Sequence, residues 1–518
     1  MRRSGPGSRR KADVKGVLTD MIPFTGRMTA LILAGVLALP LLVSCGKTPA
    51  EQEKENAQAA PADPVPSPAS DEDEKAETEL PEETEVKDNL PDDLDFGGET
   101  VTLVWNPRTL MREINYESLS GEVVDDALFN AQAAACERLN VAVSLVPIES
   151  TSDTQGNFVK QITKSVMAED AAYDFIYGYS QALATLAVDG ILTDLTSLDY
   201  IDLGQPWWAH NLLDQARVNN KLYFATGDIS PALLYNIEVT YFNKDMIGDF
   251  GLEMPYDLVD RRVWTIDKMA EMCRGIYADL NGNGEADYDD RYGFSQSAIF
   301  ADAFWFSSGL TYTVIDDEGV PHLSDDIKSQ RAADLVEKIT GYIFDGSHDM
   351  TFSGPPFQTG CVLFHSNELL NAPWLYRDVP FDFGIVPIAT YEEGAEFITC
   401  ASFTYQLYGI PIDVKDPDMS AAVMEALAVE GYKTVTPALF ETALKFKYTT
   451  DVDSVRMLDI IRPSLNFDLG RLYNTKLNNL TFTMFRNTVN DNGNWSSTLV
   501  RNMKVLEKQF DKLIASFD

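Results

Sequence analysis

Between Asp279 and Asp290 the sequence reads Asp-Leu-Asn-Gly-Asn-Gly-Glu-Ala-Asp-Tyr-Asp-Asp. Side-chain oxygens stand at loop positions 1, 3, 5, 9 and 12 on Asp279, Asn281, Asn283, Asp287 and Asp290. Gly284 at position 6 permits a tight turn, and Glu285 at position 7 offers its carbonyl, the spacing that cages calcium. Asp in place of Glu at position 12 shortens the reach toward a bidentate contact. The expectation is a structural calcium site of the order of millimolar affinity, which extracellular calcium fills; a solvated acidic turn is the competing account. Chemistry of bond making is sparse by comparison. His210, His322, His348 and His365 are scattered, with no HExxH, GxSxG, Walker loop or CxxC. With 80 acids a glycosidase pair can always be imagined, and spacing in sequence says nothing about it. A non-enzyme is expected.

A second set of residues suits binding rather than reaction. Aromatic faces stack on C–H-rich rings, and Asp, Asn and Arg side chains hold hydroxyls. Trp105, Tyr177, Tyr179, Trp305, Trp374 and Tyr405 stand at expected element ends, with Asn106, Asp228 and Asn236 as polar partners. Any one of the aromatics is equally suited to the core.

The elements that must position them follow from periodicity. Glu99 to Trp105 is β-rich. A helix over 122–139 has Val124, Leu128, Ala131, Ala135 and Leu139 on one face, with Asn140 as its cap; a strand over 141–148, a helix over 157–169 and a strand over 173–177 follow. This alternation predicts a doubly wound α/β sheet, whose ligands sit beyond the carboxyl ends of its strands. Trp105-Asn106 and Tyr177-Gly178-Tyr179 lie at two such ends. Further strands are expected near 239–242 and 381–387, with helices near 265–277, 325–343, 418–431 and 497–514. Cys136, Cys273, Cys361 and Cys400 are expected as buried thiols, although their pairing is not readable from sequence.

The 518 residues carry 80 acids against 41 bases, a formal charge of −39. That excludes a broad basic surface for nucleic acid. The charge is unevenly placed. Residues 1–45 hold seven bases and two acids, and Met28 to Val43 is an uncharged run of secretory length. Leu42-Val43-Ser44-Cys45-Gly46 resembles the lipobox of bacterial lipoproteins, which implies a signal peptide over 1–44 and a diacylglyceryl group on Cys45. Residues 46–95 have 17 acids, four lysines, seven prolines and no aromatic residue. Such a stretch cannot offset its ordering entropy and is expected to be a disordered tether over 45–95. The remaining −31 belongs to residues 96–518.

Within that body, Tyr173-Asp-Phe-Ile, Gly190-Ile-Leu-Thr-Asp-Leu-Thr, Asn220-Lys-Leu-Tyr-Phe-Ala, Tyr241-Phe-Asn-Lys-Asp-Met-Ile, Gly251-Leu-Glu-Met-Pro, Val263-Trp-Thr-Ile-Asp-Lys-Met and Asp382-Phe-Gly-Ile-Val-Pro occur in order. Together they resemble the family 1 extracellular solute-binding proteins of ABC importers, over residues 97 to 518. Asp453-Ser-Val-Arg-Met-Leu-Asp and Phe467-Asp-Leu-Gly resemble lipoproteins of Gram-positive anaerobes. The resemblance implies a two-lobe periplasmic-binding-protein-like fold of type II, with lobe I over 96–235 plus 388–450, lobe II over 236–387 plus 451–518, and hinge strands between. It implies a monomer that captures a small solute, usually a sugar or oligosaccharide, and delivers it to ABC permease subunits. It also implies a place on the extracellular face of the cytoplasmic membrane, held by lipid alone. Ala389-Thr390-Tyr391 departs from the commoner Pro-Lys-Tyr, so the ligand class is less fixed than the fold. A calcium-dependent adhesion or scaffolding protein is the alternative.

Overall fold

The computed structural model describes residues 87–109, 113–440 and 452–517. Cys45, the leader over 1–44 and most of the expected tether lie outside the described residues. The strands in chain order are β1 (Glu99–Trp105), β2 (Val141–Pro147), β3 (Phe175–Tyr179), β4 (Glu238–Asn243), β5 (Tyr292–Ser295), β6 (Thr313–Ile315), β7 (Pro321–Leu323), β8 (Met350–Thr351), β9 (Val362–Glu368), β10 (Phe383–Val386), β11 (Thr399–Cys400), β12 (Gln406–Gly409) and β13 (Leu465–Asn466).

The first sheet has the order β12-β3-β1-β2. β1 runs parallel to β2 from Glu99 opposite Val141 to Trp105 opposite Pro147, and parallel to β3 through Leu103 and Val104. All five residues of β3 are buried, as expected of a strand covered on both faces. The helix Val123–Leu139 joins β1 to β2. It buries Leu128, Ala131, Ala135 and Leu139, carries Asp125 and Asp126 in its first turn and Arg138 in its last, and stops at Asn140 with φ 49°. Asn tolerates that left-handed position because its short polar side chain bonds locally; here its Nδ2 donates to Asp95 at 2.7 Å. The helix Gln155–Val166 returns the chain to β3.

The second sheet has the order β10-β4-β9-β5-β8. Both sheets depart from the all-parallel arrangement expected from alternation. β12 lies antiparallel to β3, and β4 lies antiparallel to both β9 and β10. The reason is connectivity: β12 and β4 are reached by chain that has crossed from the other sheet, so no right-handed crossover helix dictates their direction. Those crossings are short. The helix Pro231–Tyr235 leads through Asn236 into β4, while the returning chain bridges Ala401 to Ile237 and pairs β11 with β13. The helix Pro417–Glu430 then packs on Val123–Leu139, and the C-terminal helices Leu480–Asn490 and Trp495–Ile514 pack with Gln330–Ile343 beside the second sheet.

Three expectations are corrected at this level. The ordered body begins before residue 96: Asp88 and Leu90 are buried, and Arg138 holds Asp88 by two hydrogen bonds, one of 2.7 Å. Trp305 is not at an element end but inside the helix Asp302–Ser307, stacked on Tyr312 at 4.8 Å and flanked by Phe485 and Trp495. The helix expected over 265–277 stops at Cys273, because Gly275 turns the chain with φ 73°. Cys136, Cys273, Cys361 and Cys400 are all unpaired, and Cys273 and Cys400 are buried.

Candidate functional site

At the carboxyl ends of β1, β2 and β3 the chain encloses a cavity of about 130 Å³. Asn106 follows β1, Ser150, Thr151 and Ser152 follow β2, and Tyr179 ends β3. The opposite wall comes from the crossings: Ala232, Tyr235, Asn236, Leu370, Thr404 and Gln406. Arg108, Thr109 and Glu113, from the loop after β1, complete it.

Hydrogen bonds hold this rim. Asn106 Nδ2 donates to the Ser150 carbonyl at 2.7 Å while its Oδ1 accepts from the Ser150 amide at 3.1 Å, so the side chain ties the β1 loop to the β2 loop. The Tyr179 amide donates to Ser150 Oγ at 3.1 Å, which adds β3 to the same knot. Gly178 is required there: a Cβ would stand 2.7 Å from the Phe158 ring and 3.1 Å from Ser150 Oγ. On the far wall, Asn236 Nδ2 donates to the Ala232 carbonyl at 2.7 Å, and its Oδ1 accepts from Thr404 and, at 3.1 Å, from Ser402. Both hydroxyls also reach Glu368, whose carboxyl is raised by burial. These bonds aim short polar side chains inward from rigid strand ends.

Glu113 is buried in this lining. It is 2% exposed, and burial pushes its carboxyl up to about 7 against the lowering effect of Ser230, Tyr177 and the Ala232 amide. Ser230 Oγ donates to its Oε2 at 2.5 Å. Tyr179 is also nearly buried, and that burial raises its phenol. The arrangement offers aromatic faces, hydroxyls and amides to a small polar molecule.

Of the residues named from sequence, Asn106, Tyr179 and Asn236 come together here. Tyr177 is one residue short of the opening, fully buried against Tyr408 at 5.0 Å between ring centres. Trp105 is half-buried at the end of β1 and does not line the cavity. Trp374 is 52% exposed on the short helix Asn371–Trp374, outside the lining. Asp228 belongs elsewhere, bonded to Thr436 at 2.5 Å and Arg462 at 3.3 Å beside a separate groove of about 500 Å³ flanked by Trp207 and Trp208. Burial pushes Asp228 up to about 6. Tyr405 packs on Phe467 beside the buried Arg471, away from the cavity. Trp305 is in the core, as described. Glu113, Ser150, Tyr235, Thr404 and Gln406 were not anticipated, because each lies in or beside a segment without periodic pattern.

The loop Asp279 to Asp290 folds on its own amides. Asp279 accepts from the Gly282 and Gly284 amides at 2.6 and 2.8 Å, Asn281 from Asn283 at 3.0 Å, and Asn283 from Glu285 at 2.7 Å. Asp287 accepts from the Asn281 and Asn283 side chains at 3.2 and 2.7 Å. Asp290 braces the loop from within. It is fully buried, and both its oxygens are taken, by the Leu280 and Asp287 amides and the Tyr277 hydroxyl. Among the described residues no three His, Cys, Asp or Glu side chains gather as an ion cage.

No protein-family model matches the sequence, and no curated protein matches it. Solved structures do. The cyclic α-maltosyl-1,6-maltose-binding protein of Arthrobacter globiformis aligns at 13% identity with a TM-score of 0.53, over 81% of this chain and 99% of that one. The maltose-binding protein MalE of Listeria monocytogenes, in complex with maltose, aligns at 12% identity and 0.52 over 80% and 98%. UgpB of Mycobacterium tuberculosis, in complex with glycerophosphocholine, aligns at 16% identity and 0.52 over 76% and 98%. At these identities the likeness is one of backbone, and it places the chain's architecture: an α/β fold of two sheets, the fold of the solute-binding proteins of ABC importers.

Proposed function

We propose that the chain is a solute receptor that holds a small hydroxyl-rich molecule, a sugar or oligosaccharide, and passes it to ABC permease subunits. The observation that carries this reading is the cavity itself, walled on one side by the strand ends of the first sheet and on the other by the crossings to the second. A solute gripped by both walls favours their approach, which is how binding is converted into a shape a permease recognises. The lobes are proposed as residues 96–235 plus 388–450 and 236–387 plus 451–518, with the crossings near Asn236 and Ala401 as hinges. Two of the sugar-binding structures above support a carbohydrate; the glycerophosphocholine complex widens the class to small polyols. Anchoring through Cys45 is proposed from the sequence alone, as is calcium in the 279–290 loop.

Isothermal calorimetry against a panel of oligosaccharides, amino sugars and polyol phosphodiesters tests this reading. One class is expected to bind at micromolar affinity or tighter, and Tyr179→Ala to weaken it by about 1–3 kcal/mol through lost ring contact. A panel without any binder counts against it.

A further inference from the structure

The C-terminal helix Trp495–Ile514 buries Trp495, Thr498, Met503, Leu506, Phe510 and Leu513 against the body. At about 100° per residue its outward line then falls on Arg501, Lys504, Lys508 and Lys512, which stand within about 80° of one another and span roughly 16 Å of axis. All four are exposed. Val500, 87% exposed, and Val505, 42% exposed, flank them.

A row of bases on a helix is ordinarily a solvated face, balanced by acids three or four residues away. This row is not balanced. Among the described residues none of the four side chains makes a hydrogen bond or an ion pair, although the chain has 80 acids to 41 bases. Of the helix's own acids, Glu507 is taken by Lys328 at 2.9 Å, and Asp511, exposed at the edge of the row, pairs with none of its bases. The helix dipole accounts for Lys512 in the last turn, but Arg501 and Lys504 stand more than two turns from that end.

Four charges in a straight row on a convex helix suit a flat sheet of negative charge better than a shaped partner. The cavities described above take no lining residue from this helix. The flanking valines are short apolar groups of the kind that settle among lipid headgroups beside bound cations. The chain as a whole is acidic, so a negative sheet repels most of its surface and turns this face inward. Anchoring through Cys45, proposed above, would return the helix to that sheet repeatedly, where contacts too weak for a free protein become effective.

We propose that the outward face of Trp495–Ile514 is a membrane-docking surface: Arg501, Lys504, Lys508 and Lys512 lie on the phosphates of an anionic lipid bilayer and hold the body in one orientation to it. This goes beyond the reading of the cavity as a solute site and stands without it.

The test is amine-reactive footprinting of the full chain, read by mass spectrometry, with vesicles of phosphatidylcholine alone and of an equal mixture with phosphatidylglycerol. With the mixed vesicles at low salt, Lys504, Lys508 and Lys512 are modified about 3- to 10-fold more slowly. Lys160 and Lys415, exposed elsewhere, are modified at unchanged rates. Salt at about 1 M, where screening acts within about 3 Å, removes the protection. Arg501→Gln combined with Lys512→Gln leaves Lys504 and Lys508 as reporters and removes most of their protection; equal melting temperatures check that the fold is kept. No protection overturns the proposal, as does equal slowing of Lys160 and Lys415 or equal slowing by phosphatidylcholine alone. Protection by soluble polyglutamate as strong as by the mixed vesicles overturns it in favour of an acidic protein partner. The solute-receptor reading is untouched by any of these outcomes.

Discussion

Gly431 follows the helix Pro417–Glu430 in ordinary helical backbone, where alanine normally gains about 1 kcal/mol. Here a Cβ would stand 2.1 Å from the Asp228 carbonyl oxygen, a backbone atom that cannot swing aside. Gly431→Ala is expected to lower the urea midpoint by about 1–3 kcal/mol equivalent at unchanged m-value. Gly341→Ala, near the end of the helix Gln330–Ile343 with nothing within 4 Å of its Cβ, is expected to raise it by about 0.4–1 kcal/mol. At this scale the sequence was partly legible. Asn106 and Tyr179 could be placed because a strand end is a position that periodicity defines. Glu113 could not: it lies in the loop between β1 and the first long helix, and only burial beneath Ser230 distinguishes it from the other acids. Trp305 misled for the converse reason, since a tryptophan near a turn signal looks the same whether it faces solvent or three other rings.

Among the elements, strands and helices with a clear period stand close to where the sequence puts them, because burial of one face decides both. What periodicity does not contain is direction, so the antiparallel placement of β4 and β12 was invisible. Composition averaged over fifty residues hid the ordering of 87–95, which rests on Leu90 and the Asp88 to Arg138 clamp at one end of an otherwise acidic stretch. The 279–290 loop makes its own prediction. Adding about 1 mM calcium to chelator-treated protein is expected to raise the melting temperature, with an affinity near millimolar. Asp279→Ala should abolish the shift, while Asp290→Asn should lower the calcium-free melting temperature because Asp290 acts as a strut. A shift of zero in the wild-type chain removes the ion from this account.

For the whole molecule, buried carboxyls govern the response to pH. Burial pushes Glu113 and Glu425 up to about 7 and Glu238 up to about 8. A carboxyl raised by folding binds protons more tightly in the folded chain, so its stability contribution is full below the unfolded value and is lost as pH rises through the folded one. His365, buried and lowered to about 4, works oppositely, and half of its effect is complete by its ordinary value of about 6.5. Between pH 6.5 and pH 8 the three raised carboxyls outweigh the remaining half of the unfolded-state His365 titration, which acts with opposite sign, and the chain's negative charge adds repulsion in the carboxyls' direction. The melting temperature without solute is therefore expected to fall from pH 6.5 to pH 8 in differential scanning calorimetry, and Glu238→Gln to flatten that fall. The pairing of β3 with β12 has a further consequence, one of timing. Tyr177 meets Tyr408 across it, so the first sheet keeps an open edge until more than two hundred later residues have emerged from the ribosome. The first sheet is thereby completed only late in synthesis. A chain cut short before Gln406 is left with the β3 edge unpaired and adhesive.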